Sequence, residues 1–462
     1  MMSTVPRLVI AGTQSGVGKT TIVAGLLAAF RARKQKVQSY KIGPDYIDPG
    51  YHQQAGGKPS YNLDSWLMPE VRIANLLEMT AKGQDLALIE GVMGLYDGGK
   101  NGISSTAQIA KRLQAPVVLV LDVKSAGESA AAVACGFKEY DPDVNFAGVI
   151  LNRVGSHSHR QMVEEALQRR NIPVFGAVYR DGAIQLPERH LGLTPVNEHD
   201  SEAIMLRLQA KIEAEIDVSA LMKLGQSAPP FEVMQPVYPL PNGAPVRIAV
   251  AQDEAFSFYY PDSLAVLNGC GAELIPFSPV RDAKLPEKID GLLLGGGFPE
   301  MFLVELAANE GLRKEIKAEA QKGMPVYAEC GGLMYLCREI ADFTGHSYPM
   351  CNVVPARSEM RQKLQTVGYV EATALSDSIL SQKGEKLRGH EFHFSEMIPD
   401  ADFNWAFSFS KLRTGAVYCG GFCQGNVLAS YLHLHFAGNE MAASRFIEKC
   451  RDYQRQQGGH NG

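Results

Sequence analysis

Short apolar runs alternate with longer amphipathic stretches along the N-terminal half of the chain. The runs are bounded by Gly, Asp or Pro, and the stretches between them have the spacing of helices with one apolar face. This pattern predicts strands alternating with helices, and therefore βαβ units around a mostly parallel sheet. The predicted strands are Arg7–Ala11, Val37–Tyr40, Leu86–Glu90, Pro116–Asp122, Phe146–Asn152 and Pro173–Ala177.

The same alternation returns after residue 245 and then changes in character. Its predicted strands are Val246–Ala251, Ala272–Pro276, Gly291–Leu294 and Pro325–Ala328. From about residue 350 the chain becomes richer in aromatic and polar residues, a composition that favours antiparallel strands. We therefore predict an α/β protein with two doubly wound domains, the first built on a parallel sheet and the second on a mixed sheet.

A proline-rich segment separates the two patterns. Six of the 25 prolines of the chain lie between Ser227 and Pro245. Because proline cannot continue a helix and favours an extended chain, this segment predicts an interdomain connector. The predicted boundaries are residues 1–225 for the first domain, 226–245 for the connector and 246–462 for the second domain. The alternative is a long surface loop inside a single domain.

Composition narrows the classes of function. The 462 residues include 45 Lys and Arg against 50 Asp and Glu, a net charge of −5, and 45% of them are hydrophobic. So small an excess of charge on a globular chain predicts neither a nucleic-acid nor a membrane partner. No stretch approaches the roughly 18 apolar residues of a transmembrane helix. The eight cysteines form no CxxC pair, so we expect reduced thiols and a cytoplasmic protein.

Residues 12–21 (GTQSGVGKTT) follow the first predicted strand and precede a stretch with helical spacing. In such a strand-loop-helix, small residues let backbone amides close around phosphate oxygens, the lysine reaches the outer phosphates, and the next hydroxyl binds Mg²⁺. ATP is the expected ligand, and a purely structural glycine turn is the alternative. Thr13 stands where the strict pattern has its first glycine, so Gly12 makes this a variant of the motif. The residues predicted to bind the nucleotide are Gly16, Gly18, Lys19, Thr20 and Thr21.

Acidic residues near the ends of later strands are candidates for holding the metal. Asp45 and Asp48 lie in a segment that is too rich in Gly and Pro to predict a helix, and Glu90 ends an apolar run. Ligands of open α/β sheets bind at the carboxyl ends of the strands, and Mg²⁺ prefers hard oxygen donors. We therefore predict Thr20, Asp48 and Glu90 as magnesium ligands. Turn and helix-cap roles are the alternatives for these carboxylates.

Asn152 closes the apolar strand that ends the first series. Its side-chain amide could hydrogen-bond the adenine edge of a bound nucleotide, and we predict that role for it. An asparagine that merely ends a strand is the alternative reading.

Cys330 lies between a predicted strand, residues 325–327, and a predicted helix that begins at residue 332. A sharp turn of this kind lifts a nucleophile into a cleft at a helix N-terminus, where the helix dipole favours the thiolate. An oxyanion requires amide donors from two places, and the predicted donors are Gly331 and the glycines Gly296 and Gly297. Cys330 is therefore the predicted nucleophile of an acyl-transfer site.

His433 and His435 are the candidate bases for this thiol. Their spacing of two places both on one face of the strand predicted at residues 431–436. We predict that one deprotonates Cys330 and the other orients it. A metal-binding pair and two histidines buried in a strand are the alternatives.

Several segments together resemble the cobyrinate a,c-diamide synthases of the CbiA/CobB family, over essentially the whole chain. The loop at residues 12–21 is similar to those of dethiobiotin synthetase and its relatives. Residues 41–49 followed by residues 62–66 (NLDSW) are similar to the diamide synthases, whereas cobyric acid synthase has a different, asparagine-rich segment there.

The second half resembles a class I glutamine amidotransferase of the cobyrinate type. The similar segments are the turn around Cys330, residues 389–393 (GHEFH) and residues 430–435 (SYLHLH). Two positions depart from the usual pattern: Ala328 replaces the first glycine of the turn, and His435 stands where a glutamate is usual. The second departure leaves open which group orients His433.

The resemblance implies amidation of a corrinoid in cobalamin biosynthesis, with ATP, Mg²⁺ and L-glutamine. Cys330, deprotonated by His433, would release ammonia from glutamine, and ATP would phosphorylate a carboxylate of cobyrinate. Ammonia would then displace phosphate, at side chains c and a. The resemblance also implies that Asp45 positions the substrate carboxylate and that Asp97 stabilises the phosphorylated intermediate.

Other readings stay open. Hydrogenobyrinate and nickel-sirohydrochlorin are polyanionic tetrapyrroles of similar size, and no single motif distinguishes them from cobyrinate. A function of another class is an ATPase switch of the MinD/ParA kind, although such a switch gives Cys330 and His433 no role. The sequence leaves a homodimer open as well.

Overall fold

The computed structural model describes residues 1–182, 198–234, 244–400 and 402–459. Contacts between residues divide the chain into two compact units. The first unit comprises Met1–Ser65 and Pro69–Pro236, and the second comprises Trp66–Met68 and Val237–Gly462. The division falls within the predicted connector, of which residues 235–243 lie outside the described part of the chain.

The first unit is built around a parallel sheet with helices between its strands. Its strands are β1 (Met2–Ser3), β2 (Arg7–Gly12), β3 (Val37–Ile42), β4 (Tyr61–Leu63), β5 (Leu86–Glu90), β6 (Val117–Asp122), β7 (Phe146–Val154), β8 (Val174–Tyr179) and β9 (Phe231–Glu232). Its helices are α1 (Lys19–Ala32), α2 (Ile47–Gly56), α3 (Glu70–Ala81), α4 (Thr106–Arg112), α5 (Ser129–Tyr140), α6 (His157–Gln168), α7 (Glu198–Glu215) and α8 (Val218–Gln226). Seven strands form one sheet in the order β4-β3-β5-β2-β6-β7-β8, and all its pairings are parallel. The predicted parallel sheet is confirmed.

Burial on both faces explains why these strands are apolar without alternation. Every residue of β2 and of β5 is buried. Leu8 and Ile10 pack into the same apolar core as α1, whereas Val9 and Ala11 point to the other face and are equally buried. A sheet covered by helices on both faces requires such runs, and its strands end at one edge.

The segment after β3 differs from its prediction as a loop without a helix. Ile47–Gly56 forms α2 in spite of its proline and glycine. Pro49 lies in the first turn, where a backbone N–H has no helical partner in any case. The Asp45 carboxylate accepts a 2.8 Å hydrogen bond from the Ile47 amide and supports the start of the helix. Asp48 therefore lies in the first helical turn.

Part of the predicted connector packs on the first unit. Strand β9 pairs antiparallel with β1, and Phe231 is buried. The guanidinium of Arg7 lies 4.3 Å from the centre of the Phe231 ring and donates to the carbonyl of Pro229. These contacts hold the chain against the first unit as far as Glu232.

The second unit combines a large mixed sheet with two smaller ones. Its strands are β10 (Val246–Ala251), β11 (Phe256–Phe258), β12 (Ala272–Phe277), β13 (Gly291–Leu294), β14 (Gly296–Gly297), β15 (Val326–Glu329), β16 (Glu339–Ala341), β17 (Ser347–Pro349), β18 (Ala356–Met360), β19 (Thr366–Ala374), β20 (Lys386–His393), β21 (Ser395–Pro399), β22 (Trp405–Lys411), β23 (Val417–Gln424), β24 (Val427–Ser430) and β25 (His433–Leu434). Its helices are α9 (Pro261–Gly269), α10 (Leu303–Ala308), α11 (Glu310–Gln321), α12 (Gly331–Leu336) and α13 (Glu440–Gly459).

The main sheet has ten strands in the order β12-β10-β13-β15-β24-β23-β22-β19-β20-β25. Pairings from β12 to β24 are parallel, and pairings from β24 to β25 are antiparallel. Leu292 and Leu294 of β13 belong to one apolar core and Leu293 to another, so this sheet too is covered on both faces. The prediction of a mixed sheet, with its antiparallel strands late in the chain, is confirmed.

Membrane-spanning helices and disulfides are both absent from the described part of the chain. No helix there is both long enough and apolar enough to cross a bilayer. All eight cysteines are free thiols, and five of them are buried.

Candidate functional site

The loop between β2 and α1 has a backbone that only glycine adopts easily at two positions. Gly16 and Gly18 have φ values of 77° and 94°. A Cβ at Gly18 would lie 2.3 Å from the side-chain nitrogen of Asn152, so a larger residue does not fit. The same nitrogen donates a 2.8 Å hydrogen bond to the carbonyl of Val17. The loop and the start of α1 thus have the shape of a phosphate-binding loop, held from β7.

Lys19 is a buried cation held by neutral oxygens. Its Nζ donates to the carbonyls of Met93 at 2.5 Å and of Gln14 at 3.2 Å. Burial, and then the neighbouring ammonium of Lys41, lower the pKa of Lys19 to about 8, although nearby carboxylates oppose the shift. Among the described residues the hydrogen-bond partners of Lys19 are carbonyls, and a buried cation of this kind attracts an anion strongly, as expected of a phosphate-binding lysine.

Glu90 is the centre of a network of buried charges. It ends β5 and is fully buried. One carboxylate oxygen accepts a 2.8 Å hydrogen bond from the Thr20 hydroxyl and lies 2.8 Å from Nζ of Lys41. The other oxygen lies 2.6 Å from Nε2 of His52, whose second ring nitrogen contacts Ser60. The network compensates a charge that burial alone would strongly disfavour.

Lys41 joins Glu90 to Asp48. Its Nζ lies 2.6 Å from an Asp48 carboxylate oxygen. Burial alone would lower the pKa of Lys41, but Asp48 and Glu90 outweigh it and raise that pKa. The Lys41 ammonium likewise holds the pKa of Asp48 below its usual range in spite of burial. Burial and the Asp48 charge raise the pKa of Asp45 to about 7.

The predicted magnesium ligands lie close together, with Lys41 among them. Thr20 and Glu90 are in direct contact, and Asp48 reaches Glu90 through the lysine. The Thr20 hydroxyl donates a 2.8 Å hydrogen bond to Glu90, so two hard oxygen donors of the kind that Mg²⁺ prefers lie side by side. No group of three His, Cys, Asp or Glu side chains suited to a metal occurs among the described residues. Mg²⁺ on phosphates uses only one or two carboxylates, so Thr20 and Glu90 fit it.

Asp97 is an exposed residue of the loop after β5. Its carboxylate accepts a 3.1 Å hydrogen bond from the amide of Gly94. It is near enough to Lys19 to oppose the lowering of that lysine's pKa. The structure thus places Asp97 on the side of this loop that faces Lys19.

Cys330 occupies a sharp turn between β15 and α12. Its φ and ψ are 47° and −102°, a strained conformation for a residue with a side chain. The turn needs glycine after it, because a Cβ at Gly332 would lie 2.3 Å from the carbonyl of Leu294. The Cys330 amide donates a 2.7 Å hydrogen bond to Ser430, and the thiol lies 4.0 Å from the carbonyl of Phe392. This is the geometry of a nucleophile elbow.

The predicted oxyanion glycines adjoin Cys330. A Cβ at Gly331 would lie 3.1 Å from the amide nitrogen of Gly297, and a Cβ at Gly296 would lie 2.7 Å from Cε1 of His433. Gly297 has a φ of 157°. The structure therefore gathers the predicted amide donors, the thiol and one histidine of the second unit at a single place.

His433 is the histidine at the thiol. It is 2% exposed, and its Nδ1 lies 3.6 Å from the carboxylate of Glu329. Burial would lower the pKa of His433, but the Cys330 thiolate and the Glu329 carboxylate outweigh burial and raise that pKa to about 10. His433 is thus a strong proton acceptor next to Cys330.

The contacts of His435 differ from its predicted role of orienting His433. Its Nε2 lies 3.2 Å from the carboxylate of Asp262 on α9, and its ring stacks on Tyr260 with centroids 4.6 Å apart. The predicted strand across residues 431–436 is also shorter than expected, since only His433–Leu434 pairs, with β20. His435 follows this short strand, and its ring is directed at the carboxylate on α9.

Comparison with known families covers both units. Residues 8–193 match the CobQ/CobB/MinD/ParA nucleotide binding domain. Residues 247–441 match the CobB/CobQ-like glutamine amidotransferase domain. The two matches separate the chain into a nucleotide-binding part and a glutamine amidotransferase part.

Curated relatives align with almost the whole chain. A cobyrinate a,c-diamide synthase of Dehalococcoides mccartyi (strain CBDB1) is 44% identical over 458 residues, 97% of this chain and 99% of the relative. The chain belongs to the cobyrinate a,c-diamide synthase family. A hydrogenobyrinate a,c-diamide synthase of Streptomyces coelicolor is 42% identical over 97% of this chain and 98% of its own. A cobyrinate a,c-diamide synthase of Salmonella typhimurium is 42% identical over 96% of this chain and 98% of its own.

Membership in the cobyrinate a,c-diamide synthase family confirms the class of enzyme. The chain joins a nucleotide-binding domain to a glutamine amidotransferase domain, the composition of a glutamine-hydrolysing ligase. The individual roles predicted for its residues stay predictions.

Four residues that contact the predicted site residues were not predicted from the sequence. Lys41 and His52 bind the charges of the first site, and Glu329 and His390 surround His433 in the second. Lys41 directly follows the predicted strand Val37–Tyr40, close to the place where Glu90 ends its own strand, and that position was a usable signal. The others are recognisable only once the fold brings distant segments together.

Proposed function

We propose that this chain catalyses the ATP- and glutamine-dependent amidation of the c and a side-chain carboxylates of cobyrinate in cobalamin biosynthesis. One observation carries the proposal: a phosphate-binding loop with a buried charge network and a cysteine elbow with an adjacent histidine occur in one chain. Relatives named for cobyrinate and hydrogenobyrinate align with both sites. The two sites match the two halves of an amide synthesis that takes nitrogen from glutamine.

The second unit supplies ammonia. His433 accepts the proton of the Cys330 thiol, and the thiolate attacks the side-chain amide carbonyl of glutamine. The negative oxygen that forms is stabilised by the amides of Gly331 and Gly297, with Gly296 shaping the same wall. His433 returns its proton to the leaving nitrogen, so ammonia departs and a glutamyl thioester stays on Cys330. Water then hydrolyses the thioester to glutamate.

The first unit activates the carboxylate. The amides of Gly16 and Gly18, with Lys19, Thr20 and Thr21, hold the phosphates of ATP. A substrate carboxylate oxygen takes the terminal phosphoryl group, giving an acyl phosphate and ADP. Ammonia attacks the acyl carbon, phosphate leaves, and an amide forms.

Mg²⁺ would neutralise charge on the phosphates, with Thr20 and Glu90 as its nearest protein ligands and Asp48 close by. Lys41 keeps Glu90 and Asp48 in place in the absence of the ion. Asp45 positions the substrate carboxylate and Asp97 acts on the phosphorylated intermediate, roles taken from the family resemblance. Asn152 either holds the phosphate-binding loop through Val17 or hydrogen-bonds the adenine.

The proposal is tested by incubating the protein separately with cobyrinate, hydrogenobyrinate and nickel-sirohydrochlorin, each with ATP, Mg²⁺ and glutamine. Product mass should show two amidations of cobyrinate, with stoichiometric formation of ADP and glutamate. Faster turnover of either other macrocycle would reassign the substrate. Amidation without ADP would contradict the acyl phosphate.

The glutaminase reaction also separates this function from an ATPase switch of the MinD/ParA kind.

 A switch of the MinD/ParA kind would dimerise on binding ATP and would not hydrolyse glutamine, so release of glutamate by the intact protein decides between the two functions.

We place the protein in the cytoplasm on the strength of its free thiols. A homodimer stays a prediction, and sedimentation with and without ATP tests it.

A further inference from the structure

Glu329 stands directly before the nucleophile, at a position that the glutaminase mechanism above does not use. It is the last residue of β15 and is 8% exposed. A carboxylate so deeply buried needs partners that stabilise its charge. Those partners show what the side chain is directed at.

Three groups surround the Glu329 carboxylate. One oxygen accepts hydrogen bonds from the Tyr327 hydroxyl at 2.5 Å and from the backbone amide of Leu434 at 3.1 Å. The other oxygen lies 3.6 Å from Nδ1 of His433. Because Leu434 follows His433 in the chain, the carboxylate is anchored to the backbone of the strand that carries the histidine.

The alternative partner, His435, is occupied elsewhere. It lies 3.2 Å from Asp262 and stacks on Tyr260. The two histidines therefore face different carboxylates: His435 faces Asp262, and His433, which lies at the thiol, faces Glu329.

We propose that Glu329 is the positioning residue of the Cys330–His433 pair. It orients the His433 ring and stabilises the imidazolium that forms when His433 accepts the proton of Cys330. This inference rests on the proposed glutaminase function. The distance of 3.6 Å is longer than a hydrogen bond, but contacts of this kind often shorten only when substrate is bound.

Other titratable groups also face His433. His390 of β20 stacks on it with ring centroids 4.9 Å apart. Burial, and then the charges of His433 and His435, lower the pKa of His390, so it is neutral near pH 7. The charge of His433 also acts to lower the pKa values of Glu391 and His393, which lie in the same strand as His390. Of the carboxylates in this set, Glu329 is the one within 4 Å of a His433 ring nitrogen.

Glu329→Gln tests the proposal, because the amide oxygen can still accept from Tyr327 and Leu434 while the charge is lost. The matched control is Asp262→Asn, the same change at the carboxylate that faces His435. We expect glutaminase kcat to fall about 100-fold in E329Q, with KM changed less than about twofold, since a carboxylate acting through a histidine affects the transition state. D262N should keep its kcat, and ammonia-dependent amidation should be unchanged in both variants.

Alkylation of Cys330 by iodoacetamide provides a readout that does not depend on glutamine turnover. Loss of the carboxylate destabilises the thiolate–imidazolium pair, so the pH midpoint for Cys330 should rise by about one unit in E329Q. The exposed thiol of Cys419, quantified on its own peptide, is the internal reference and should not change.

The outcomes separate the inference from the function on which it rests. An unchanged Cys330 profile in E329Q, or an equal shift in D262N, overturns the positioning role. Absence of glutaminase activity in the unaltered protein contradicts the proposed function, while the alkylation profile still decides the role of Glu329. If E329Q does not fold, Glu329→Asp replaces it: the charge is kept but withdrawn by one methylene, and a smaller upward shift is expected. No shift in E329D would then overturn the proposal.

Discussion

The two units stabilise their buried ionisable groups in opposite ways. In the first unit, opposite charges compensate each other: Lys41 lies between Asp48 and Glu90, and the pairing raises the pKa of the lysine and lowers that of Asp48. In the second unit, burial removes the charge, since it lowers the pKa of His390 well below its usual value and that of His393 to about 4.

This difference follows from the chemistry that each site performs. Phosphate and metal carry high charge, so a site for them needs side chains that stay charged when the ligand is absent. A cysteine nucleophile needs one strong proton acceptor, and neighbouring histidines with lowered pKa values are too weakly basic to compete for the thiol proton. The second unit accordingly keeps His390 and His393 neutral and leaves His433 with a raised pKa near the thiol. The comparison predicts that changes in the two units affect different partial reactions.

Cys330→Ala gives the largest expected effect and tests the separation from the side of the second unit. Glutamine-dependent amidation should fall by about 10⁴-fold or more, because no other group forms the thioester. Amidation with ammonium salts should proceed at the rate of the unaltered protein. Parallel assays with the two nitrogen sources measure both values. Loss of activity with both sources would end the division of labour between the units.

Glu90→Gln tests the separation from the side of the first unit. The change removes the charge that Thr20, Lys41 and His52 contact. Amidation should fall about 10²- to 10³-fold with either nitrogen source, because a buried network loses its central charge and a predicted metal ligand is weakened. Glutamate release should persist, and equilibrium binding of nucleotide, measured without turnover, should weaken as well.

The matched control for E90Q is Glu213→Gln. Glu213 pairs with Arg33 at 3.2 Å, but both side chains are about one-third exposed, so the pair contributes little. Its activity should equal that of the unaltered protein. Ammonia-dependent amidation that survives E90Q would show that the network around Glu90 is not the site of carboxylate activation.

The first site was largely predictable because a simple rule governs it. The carboxyl ends of parallel strands meet at one edge, so Lys19, Thr20 and Glu90 converge once the strands are recognised. His52 was not predictable, because Pro49 and Gly50 give the segment that forms α2 a low helix propensity. The helix exists because the proline falls in its first turn, where no hydrogen bond is lost.

The second site was predictable only in part, because its residues come from both the parallel and the antiparallel halves of the sheet. The elbow carries a local signal, so Cys330 is recognisable in the sequence. Glu329 is not, since consecutive strand residues point to opposite faces and a neighbour of the nucleophile is expected to point away. The positive φ of Cys330 ends that alternation, and the short pairing of β25 with β20 brings His433 to the same place.

The lowered pKa of His393 predicts a moderate effect of pH on the stability of the second unit. The pKa of His393 is about 4 in the folded protein and about 6.5 when unfolded. Because the folded value is the lower one, its contribution to stability is complete above pH 6.5 and is lost as pH falls toward 4. His393→Phe should therefore gain about 1–2 kcal/mol relative to the unaltered protein between pH 7 and pH 5.

The measurement is urea unfolding by pulse proteolysis at several pH values, with peptides assigned to the second unit by mass. His393 also donates to the Ser395 carbonyl at 2.7 Å, so H393F should be less stable at pH 7, and the slope with pH is the readout. His346→Phe, at an exposed histidine of the same unit, should leave the slope unchanged. Parallel slopes for H393F and the unaltered protein would show that His393 is not held neutral by burial.

Asn152→Ala gives the smallest expected effect and asks how the first unit holds its loop. The side-chain nitrogen of Asn152 donates to Val17 in the structure, whereas the sequence predicts a contact with adenine. Loss of one hydrogen bond of about 1 kcal/mol should weaken ATP binding about fivefold. Calorimetry with ATP and with inosine triphosphate, which differs from ATP in the exocyclic group of the base, separates the two roles. If Asn152 holds only the loop, the substitution weakens the binding of both nucleotides equally. We expect this result because the side-chain amide of Asn152 already donates to the Val17 carbonyl. A loss confined to ATP would show that Asn152 leaves Val17 to read the base.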